Sequence, residues 1–206
     1  MFRLDTRKAI EATATLIRLS PHRVIGRKRL LALLYLADRE CLKRTARPII
    51  GGRLVAMKYG PIHSEVYDLI KGGHRDQAEW SKHFDNDAHL VVLRHEPAIS
   101  ALSRYEIGLL NEISQQFMGY DDWDVAEATH EFAEYGNSYK KDTSTPIPLE
   151  QVIDAVGLAK KKSAILKDAE QRAFFDKLFL AGRKPTSKRA ANRQANKRPP
   201  TTVGKK

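Results

Sequence analysis

Apolar residues between positions 30 and 42 recur at the spacing of an amphipathic helix. They place one continuous apolar stripe on one helix face, with Tyr35 at its margin. The members of the stripe are Leu30, Leu31, Leu34, Ala37 and Leu42. Because such a stripe must be buried, we predict a core helix here. A proline disfavours the helical conformation at the residue before it, so this helix should end before Pro48.

The pattern becomes extended after this helix. Residues 49–57 form an apolar run that two adjacent glycines interrupt, which indicates a short strand or an irregular loop passing close to another backbone. The sequence Tyr59-Gly60-Pro61 predicts a turn of fixed shape. Pro61 has the φ that a first helical residue needs, so we predict a short helix over residues 63–71 that Gly72 terminates.

Polar capping residues mark the starts of two other helices. Asp5 predicts a first helix that runs to about Leu19. Ser103 and Glu106 match a capping box at the start of an amphipathic helix.

Three further helices are predicted towards the C-terminus. The acidic pair Asp121-Asp122 can cap a helix that ends within residues 130–135. Pro148 suits the first residue of the next helix. Ser163 can cap a last helix that Gly182 terminates.

The stretch between Gln77 and His95 has a different pattern, in which apolar residues flank the polar residues 85–87. This arrangement predicts a β-hairpin. Together the elements predict a mainly α-helical protein with a small β-sheet or hairpin, which is an α+β fold. We expect a single helical domain followed by C-terminal helices and a disordered basic tail.

The charge of the chain is concentrated in that tail. The 206 residues carry a formal charge of +11, and nine Lys or Arg but no Asp or Glu follow Gly182. Without these nine cations, residues 1–182 would carry only +2. Val203 is the one large apolar residue after Gly182, so the tail cannot offset the entropy of ordering. The candidate nucleic-acid-binding cations are Arg183, Lys184, Lys188, Arg189, Arg193, Lys197 and Arg198.

The predicted core segment carries the sequences YLADR, RPI and KYGPIHSEVY in this order. Their content and order resemble the Panacea domain of SocA-like antitoxins, which also occurs in phage-associated proteins. The matching residues include Tyr35, Asp38, Arg39, Arg47, Pro48, Gly60, Pro61 and Tyr67. The pair Thr129-His130 also fits the family pattern, whereas Tyr135 stands where that pattern leads us to expect Trp.

The resemblance covers about residues 5–140 and implies an antitoxin that neutralises a cognate toxin, encoded by an adjacent gene, through direct protein contact. In the case of SocA it also implies an adaptor that delivers the toxin to an ATP-dependent protease. We expect a Panacea-like domain over residues 1–145, a helical extension packed on it over residues 146–182, and a disordered tail over residues 183–206.

Asp38 and Arg39 lie near the apolar stripe, where an unpaired carboxylate is costly. In one interpretation, Asp38 pairs with Arg47 or caps the backbone around Gly60. In the other, the pair Asp38-Arg39 orients a loop of a partner protein or holds the turn at RPI, residues 47–49. We favour the internal partners.

The sequence offers no clear catalytic or metal-binding motif. Its seven histidines lack HxxxH and HExxH spacing, and its single cysteine, Cys41, lies on the apolar helix. It also lacks a GxSxG nucleophile elbow and a Gly-rich phosphate loop followed by Lys. We therefore expect no enzymatic activity, no metal and no cofactor.

A protein-binding module contacts its partner through a few aromatic or Arg anchors. Tyr59, Tyr67 and Trp80 are the candidate anchors. Trp123 and Phe117 could form a further exposed patch, but aromatic residues at helical spacing are more often buried in a core.

Two other functions are compatible with the sequence. In the first, the tail and the basic cluster of residues 23–29 bind nucleic acid in a salt-dependent way, and the chain acts as a regulator. In the second, a phage-encoded protein uses the same scaffold to modulate a host protein.

The chain begins with MFRLDTRKAIEA, which carries charges throughout, so we expect no signal peptide. No stretch approaches the ~18 apolar residues of a membrane span. One cysteine cannot form an internal disulfide, which also favours the cytoplasm. We expect a cytoplasmic protein that does not contact a membrane.

Overall fold

A computed structural model describes residues 1–182 of the chain, with side chains as far as residue 178. The chain divides into two compact units, residues 1–173 and 174–206, and the elements that position the candidate site belong to the first. The helices are α1 (Thr6–Arg18), α2 (Arg27–Thr45), α3 (Ser64–Lys71), α4 (Gln77–Trp80), α5 (Arg104–Gln116), α6 (Asp122–Glu127), α7 (Ala133–Ser138), α8 (Leu149–Ala155) and α9 (Lys162–Gly182). The strands are β1 (Val24–Gly26), β2 (Leu54–Met57), β3 (Gly60–His63), β4 (Phe84–Asp87), β5 (Leu90–Leu93) and β6 (Thr145–Ile147). The tail that the sequence predicts to be disordered, with its candidate nucleic-acid-binding cations, lies outside the described residues.

Residues 1–182 are mainly helical with two small antiparallel sheets, which confirms the predicted α+β class. One sheet has the order β1-β5-β4, with Ile25 opposite Val91. The other has the order β3-β2-β6, with Val55 opposite Ile62. The sequence predicted one small sheet, because strands of three residues such as β1 and β6 are too short to show alternation. In this part of the chain, no helix combines the length and the apolar composition needed to cross a membrane.

Helix α2 is the central element of the core. Every residue from Leu30 to Asp38 is buried, and the helix contacts α1, α5, α6 and β3. Over this stretch the helix is therefore buried on all sides, and not only along the predicted stripe. Cys41 is buried as well, and burial raises the pKa of its thiol, in agreement with its predicted role as a core residue.

The residues after the matched motifs add a second apolar cluster to the same unit. Val152 and Ile153 of α8 are buried in one cluster with Leu42 of α2. Strand β6 extends a sheet by pairing with β2. The boundary that the sequence suggested between residues 145 and 146 falls within β6, and residues 146–173 belong to the same compact unit as the residues before them.

The sequence Tyr59-Gly60-Pro61 belongs to a β-hairpin, and the prediction that Pro61 begins a helix is wrong. Strands β2 and β3 pair with Pro61 opposite Ala56, and α3 begins at Ser64. Because β3 lies at the edge of its sheet, a proline can occupy it without removing a hydrogen bond between strands. The predicted end of α3 is confirmed, since Gly72 caps it with a φ of +84°.

Two other predicted elements differ in their bounds. In the hairpin of β4 and β5, residues 85–87 belong to the first strand, and the turn lies at Ala88 and His89. The helix that begins after Asp121 ends at Glu127, and α7 follows only after a break. This break places Thr129 against the β2–β3 hairpin, a tertiary contact that local helix propensity cannot predict.

The predicted helix caps at Asp5, Ser103 and Asp121 are confirmed, whereas Ser163 lies inside α9, which begins at Lys162. Asp5 accepts a hydrogen bond from the N–H of Lys8 at the start of α1. Ser103 and Glu106 form the predicted capping box of α5. Pro148 lies one residue before α8 and is not its first helical residue.

A buried carboxylate from α1 holds the loop that precedes α5. Glu11 is 3% exposed and accepts hydrogen bonds from the backbone N–H groups of Ser100, Ala101 and Leu102 at 3.1, 2.9 and 2.9 Å. Burial alone would raise the pKa of Glu11, but these hydrogen bonds together outweigh it and hold the pKa below its ordinary value of 4.5. The interaction therefore favours the ionised carboxylate.

Replacing Glu11 with glutamine should lower stability at neutral pH and alter its pH dependence. A carboxylate with a lowered pKa in the folded state contributes stability above its unfolded pKa, and loses that contribution as the pH falls through the folded value. We expect E11Q to lower the free energy of unfolding by about 1–3 kcal/mol at neutral pH. Urea unfolding at a series of pH values should show this difference shrinking in acid. The exposed Glu127→Gln variant serves as the control, and a difference for E11Q that is constant across pH would contradict the assignment.

Candidate functional site

The motif residue Asp38 projects from α2 towards an irregular loop and is 5% exposed. Its Oδ1 accepts hydrogen bonds from the N–H groups of Ile49 and Ile50, and its Oδ2 accepts one from Gly51, each at 2.9 Å. Burial raises the pKa of Asp38, and the nearby His63 and the three N–H groups offset this only in part. The carboxylate thus provides acceptors for three N–H groups that no strand or helix satisfies.

The loop held by Asp38 passes close to the N-terminal backbone, as the two adjacent glycines predicted. Gly51 and Gly52 have φ values of +68° and +95°. A Cβ on Gly51 would lie 2.7 Å from the carbonyl oxygen of Arg3. The N–H of Gly52 donates to the carbonyl oxygen of Phe2 at 3.2 Å. Glycine is therefore required at this point both by conformation and by space.

Asp38 holds the end of the RPI turn, as the second interpretation expected, whereas the favoured expectation that it pairs with Arg47 or caps the backbone around Gly60 is wrong. It binds residues 49–51 and not the backbone around Gly60. Arg47 pairs instead with Asp168, with its Nε 3.0 Å from the carboxylate. No local sequence pattern indicates this pair, because Asp168 lies 121 residues from Arg47 along the chain.

His63 lies beside Asp38, with its Nε2 3.6 Å from Oδ2, and is 1% exposed. Neither ring nitrogen has a hydrogen-bond partner among the described residues. Both side chains line a cavity of about 40 Å³, which Pro48 and mostly apolar side chains complete. The cavity is therefore far smaller than a typical small-molecule site, which measures roughly 300 Å³ or more.

Tyr35 and Arg39, one helical turn apart on α2, both bind Glu134 of α7. The Tyr35 hydroxyl donates to Oε1 at 2.7 Å, and Nε of Arg39 donates to the same oxygen at 2.6 Å. Glu134 is fully buried, and the Arg39 guanidinium also lies 3.9 Å from the centre of the Phe132 ring. Burial and the Glu134 carboxylate raise the pKa of the Tyr35 hydroxyl, which keeps it a donor. No local sequence pattern marks Glu134 as the residue that joins α2 to α7.

Gly60 lies where the β2–β3 hairpin contacts the segment between α6 and α7. Its φ is +111°, and a Cβ at this position would lie 2.4 Å from Oγ1 of Thr129. His130 stacks on Tyr135, with ring centres 4.7 Å apart, and the Tyr135 hydroxyl donates to the carbonyl oxygen of Met57 at 3.0 Å. The Thr129-His130 pair therefore supports the hairpin in two ways. Thr129 lies against Gly60, and His130 stacks on Tyr135, which bonds to Met57.

The candidate partner-binding residues have different environments. Trp80 is fully buried, packs on Phe84 with ring centres 4.4 Å apart, and donates from Nε1 to Asn86. The prediction that Trp80 is a surface anchor is therefore wrong, because helix α4 directs its side chain into the core. Tyr59 is 42% exposed at the tip of the β2–β3 hairpin, whereas Tyr67 is half-buried. Partner contact by Tyr59 and Tyr67 stays a prediction.

Tyr59 forms an exposed aromatic pair with Trp123. The ring of Trp123 lies edge-to-face with that of Tyr59 at 5.1 Å and is 54% exposed. The ammonium group of Lys28 lies 3.3 Å from the centre of the Trp123 ring and 4.3 Å from that of Tyr59. Trp123 is thus exposed although its helical spacing favoured the core, whereas Phe117 is buried.

Among the described residues, no group of three or more His, Cys, Asp or Glu side chains is arranged to hold a metal ion. The polar side chains of the motifs are directed instead towards backbone groups and towards each other. The arrangement around Asp38, Tyr35 and Arg39 fixes loops and helices relative to α2.

Comparison with known proteins relates this arrangement to a family. The model of a family described as "Antitoxin SocA-like, Panacea domain" matches residues 30–135, which is 106 of the 206 residues. The match contains Asp38, Gly60 and the Tyr35–Arg39–Glu134 cluster. Searches of curated proteins and of solved structures found no significant match.

Proposed function

Because the chain belongs to the SocA-like Panacea family of antitoxins, we propose that it is the antitoxin of a toxin–antitoxin pair and neutralises its toxin by direct protein contact. The toxin is expected to be encoded by an adjacent gene. In this role the protein acts as a non-catalytic binding module.

The use of the motif side chains inside the fold is the observation that best supports this proposal. Asp38 binds three backbone N–H groups, and Tyr35 and Arg39 bind Glu134. A catalytic group must reach a substrate, whereas these groups are occupied by partners within the chain. They hold the loop of residues 49–51, which precedes β2, and helix α7 on α2. We propose that this arrangement is a rigid support for a binding surface.

Co-expression with the product of the adjacent reading frame tests the proposal. We expect the full chain to restore growth to cells that produce this toxin and to co-purify with it. A folded, expressed wild-type chain that neither restores growth nor co-purifies with the toxin would contradict the proposal.

The rate of toxin degradation separates direct neutralisation from delivery to a protease. If contact alone is sufficient, the purified chain should inhibit the purified toxin, and the half-life of the toxin in cells should stay the same or lengthen. Under an adaptor function, the toxin half-life should shorten when the chain is present and lengthen again when the ATP-dependent proteases are deleted.

A nucleic-acid-binding regulator is the alternative, and the nine cations after Gly182 favour it. The second basic cluster, in contrast, is largely engaged within the chain. Arg23 pairs with Glu96, Lys28 lies on Trp123, and Arg29 donates to the carbonyl oxygens of residues 117 and 120. We therefore propose this function only as the second candidate.

Electrophoretic mobility shift of DNA and RNA tests this alternative. The comparison is between the wild-type chain and a full-length variant in which the nine tail cations are glutamine. Weak binding that falls with salt and disappears in the variant indicates non-specific attraction by the tail. Sequence-selective binding that persists in the variant would favour the regulator.

A further inference from the structure

The exposed large hydrophobic side chains of residues 1–173 are not evenly distributed. Eight are exposed, and four of these lie at the tip of the β2–β3 hairpin or within residues 118–123. The four are Tyr59, Met118, Tyr120 and Trp123, with Met118 71% and Tyr120 50% exposed. A concentration of exposed apolar side chains of this kind is typical of an interaction surface.

Carboxylates flank Trp123 on the same short helix. Asp121, Asp124 and Glu127 are exposed, and none of them forms an ion pair within residues 1–182. Asp121 caps the helix through the N–H groups of Trp123 and Asp124, which leaves its second oxygen free for a partner. This surface therefore presents three negative charges next to two aromatic rings.

The aromatic pair already binds a cation from its own chain. The Lys28 ammonium lies over the face of Trp123 and within reach of Tyr59, where the ring quadrupole attracts positive charge. The nearby Arg29 is held by backbone carbonyl oxygens of residues 117 and 120. A third cation, Lys58, lies 5.4 Å from the centre of the Tyr59 ring. These three cations contact aromatic rings or backbone carbonyl oxygens, whereas the three carboxylates form no ion pair among the described residues.

We propose that Tyr59, Trp123, Asp121, Asp124 and Glu127 form an acidic aromatic face that binds an Arg- or Lys-bearing segment of the toxin. The inference rests on the proposed antitoxin function and adds the surface and the chemistry of the partner. A cationic side chain of the toxin stacks on the exposed part of the Trp123 ring, and neighbouring cations pair with the carboxylates.

Charge complementarity distinguishes this partner from other classes. Nucleic acid would be repelled by the three carboxylates. A purely apolar partner would bury these carboxylates without a counter-ion, which is strongly unfavourable. A basic protein segment can place cations on the aromatic rings and also pair with the carboxylates. Its association should be accelerated by electrostatic attraction and slowed by salt.

The two tryptophans of the chain allow a direct test. Trp80 is buried and Trp123 is exposed, so quenching of fluorescence by acrylamide reports mainly on Trp123. We would titrate the full chain with the purified product of the adjacent reading frame and measure both affinity and quenching. Binding at the proposed face should protect Trp123 from the quencher, and higher salt should weaken the complex.

Substitutions on the face provide the second part of the test. Trp123→Ala and the double charge reversal Asp124→Lys with Glu127→Lys should each weaken toxin binding by about tenfold or more, as expected for an interface anchor. Tyr105→Ala removes a 48% exposed aromatic ring from α5 and is the matched control, with an expected change of less than about twofold. Circular dichroism and urea unfolding verify that the variants fold as the wild type does.

Each outcome bears on the proposal. A wild-type chain that does not bind the toxin at all overturns the antitoxin function, and this inference with it. A wild-type chain that binds the toxin while Trp123 stays accessible, with both face variants binding equally well, overturns the inference alone. If replacing the tail cations with glutamine exposes Trp123 further in the free protein, the tail is the occupant and the assignment to the toxin is wrong.

Discussion

Replacing Asp38 with alanine is expected to lower the free energy of unfolding by about 3–5 kcal/mol, which is a large part of the ~5–15 kcal/mol that stabilises a typical domain. The substitution leaves the N–H groups of Ile49, Ile50 and Gly51 without an acceptor in a site that is closed to solvent. Each unsatisfied buried donor costs about 1–3 kcal/mol before relaxation, and the loop can recover part of this by opening towards water. Urea unfolding followed by circular dichroism measures the change.

Two further variants show whether the carboxylate itself is responsible. Asp38→Asn retains one oxygen for Ile49 and Ile50 but places an amide NH₂ against the N–H of Gly51, so its loss of stability should be smaller than that of Asp38→Ala. The exposed Asp87→Ala in β4 should change stability by less than about 0.5 kcal/mol. A loss for Asp38→Ala no greater than that of Asp87→Ala would contradict the role assigned to Asp38.

Replacing Gly60 with alanine should cost about 3 kcal/mol or more, because two separate penalties add. The φ of +111° lies in a region that residues with a Cβ rarely adopt, and the new Cβ would lie 2.4 Å from Oγ1 of Thr129. The measurement is again the free energy of unfolding. If toxin binding depends on this hairpin, neutralisation should fall in parallel.

Gly72 separates the two penalties. It also has a positive φ, of +84°, but a Cβ there would meet no atom within 4 Å. Gly72→Ala should therefore show the conformational cost alone, about 1 kcal/mol. Adding Thr129→Ala to Gly60→Ala should recover part of the lost stability, as a double-mutant cycle would reveal. Equal losses for the two glycine variants would show that the contact with Thr129 is unimportant.

The parts of the fold that the sequence predicted well are those set by neighbouring residues. The cap at Asp5, the capping box at Ser103 and Glu106, and the end of α3 at Gly72 depend on interactions over a few residues. The element that contains Pro61 was predicted wrongly, because a proline suits both the start of a helix and an edge strand. Only the pairing of β3 with β2 decides between these, and that pairing is a tertiary contact.

The candidate site was predictable in its residues but not in their partners. The motifs identified Tyr35, Asp38 and Arg39, and the apolar pattern placed them on a buried helix. The sequence did not show that Tyr35 and Arg39 share Glu134 as a partner, because Glu134 lies 95 residues from Arg39 in the chain. Trp80 shows the opposite failure: an aromatic residue in a polar stretch was assigned to the surface, although tertiary packing buries it completely.

Glu11 and Asp38 each secure a loop mainly through peptide N–H groups, and the Ser100 hydroxyl adds one longer hydrogen bond to Glu11 at 3.4 Å. A main-chain N–H is present in every amino acid except proline. Exchanging the loop residues other than Gly51 would thus leave the anchor in place, whereas inserting or deleting one of them would carry an N–H beyond the reach of its carboxylate. Apart from this glycine, the fold constrains the length of the two loops more tightly than their composition, and homologues should differ there by substitution and not by gaps.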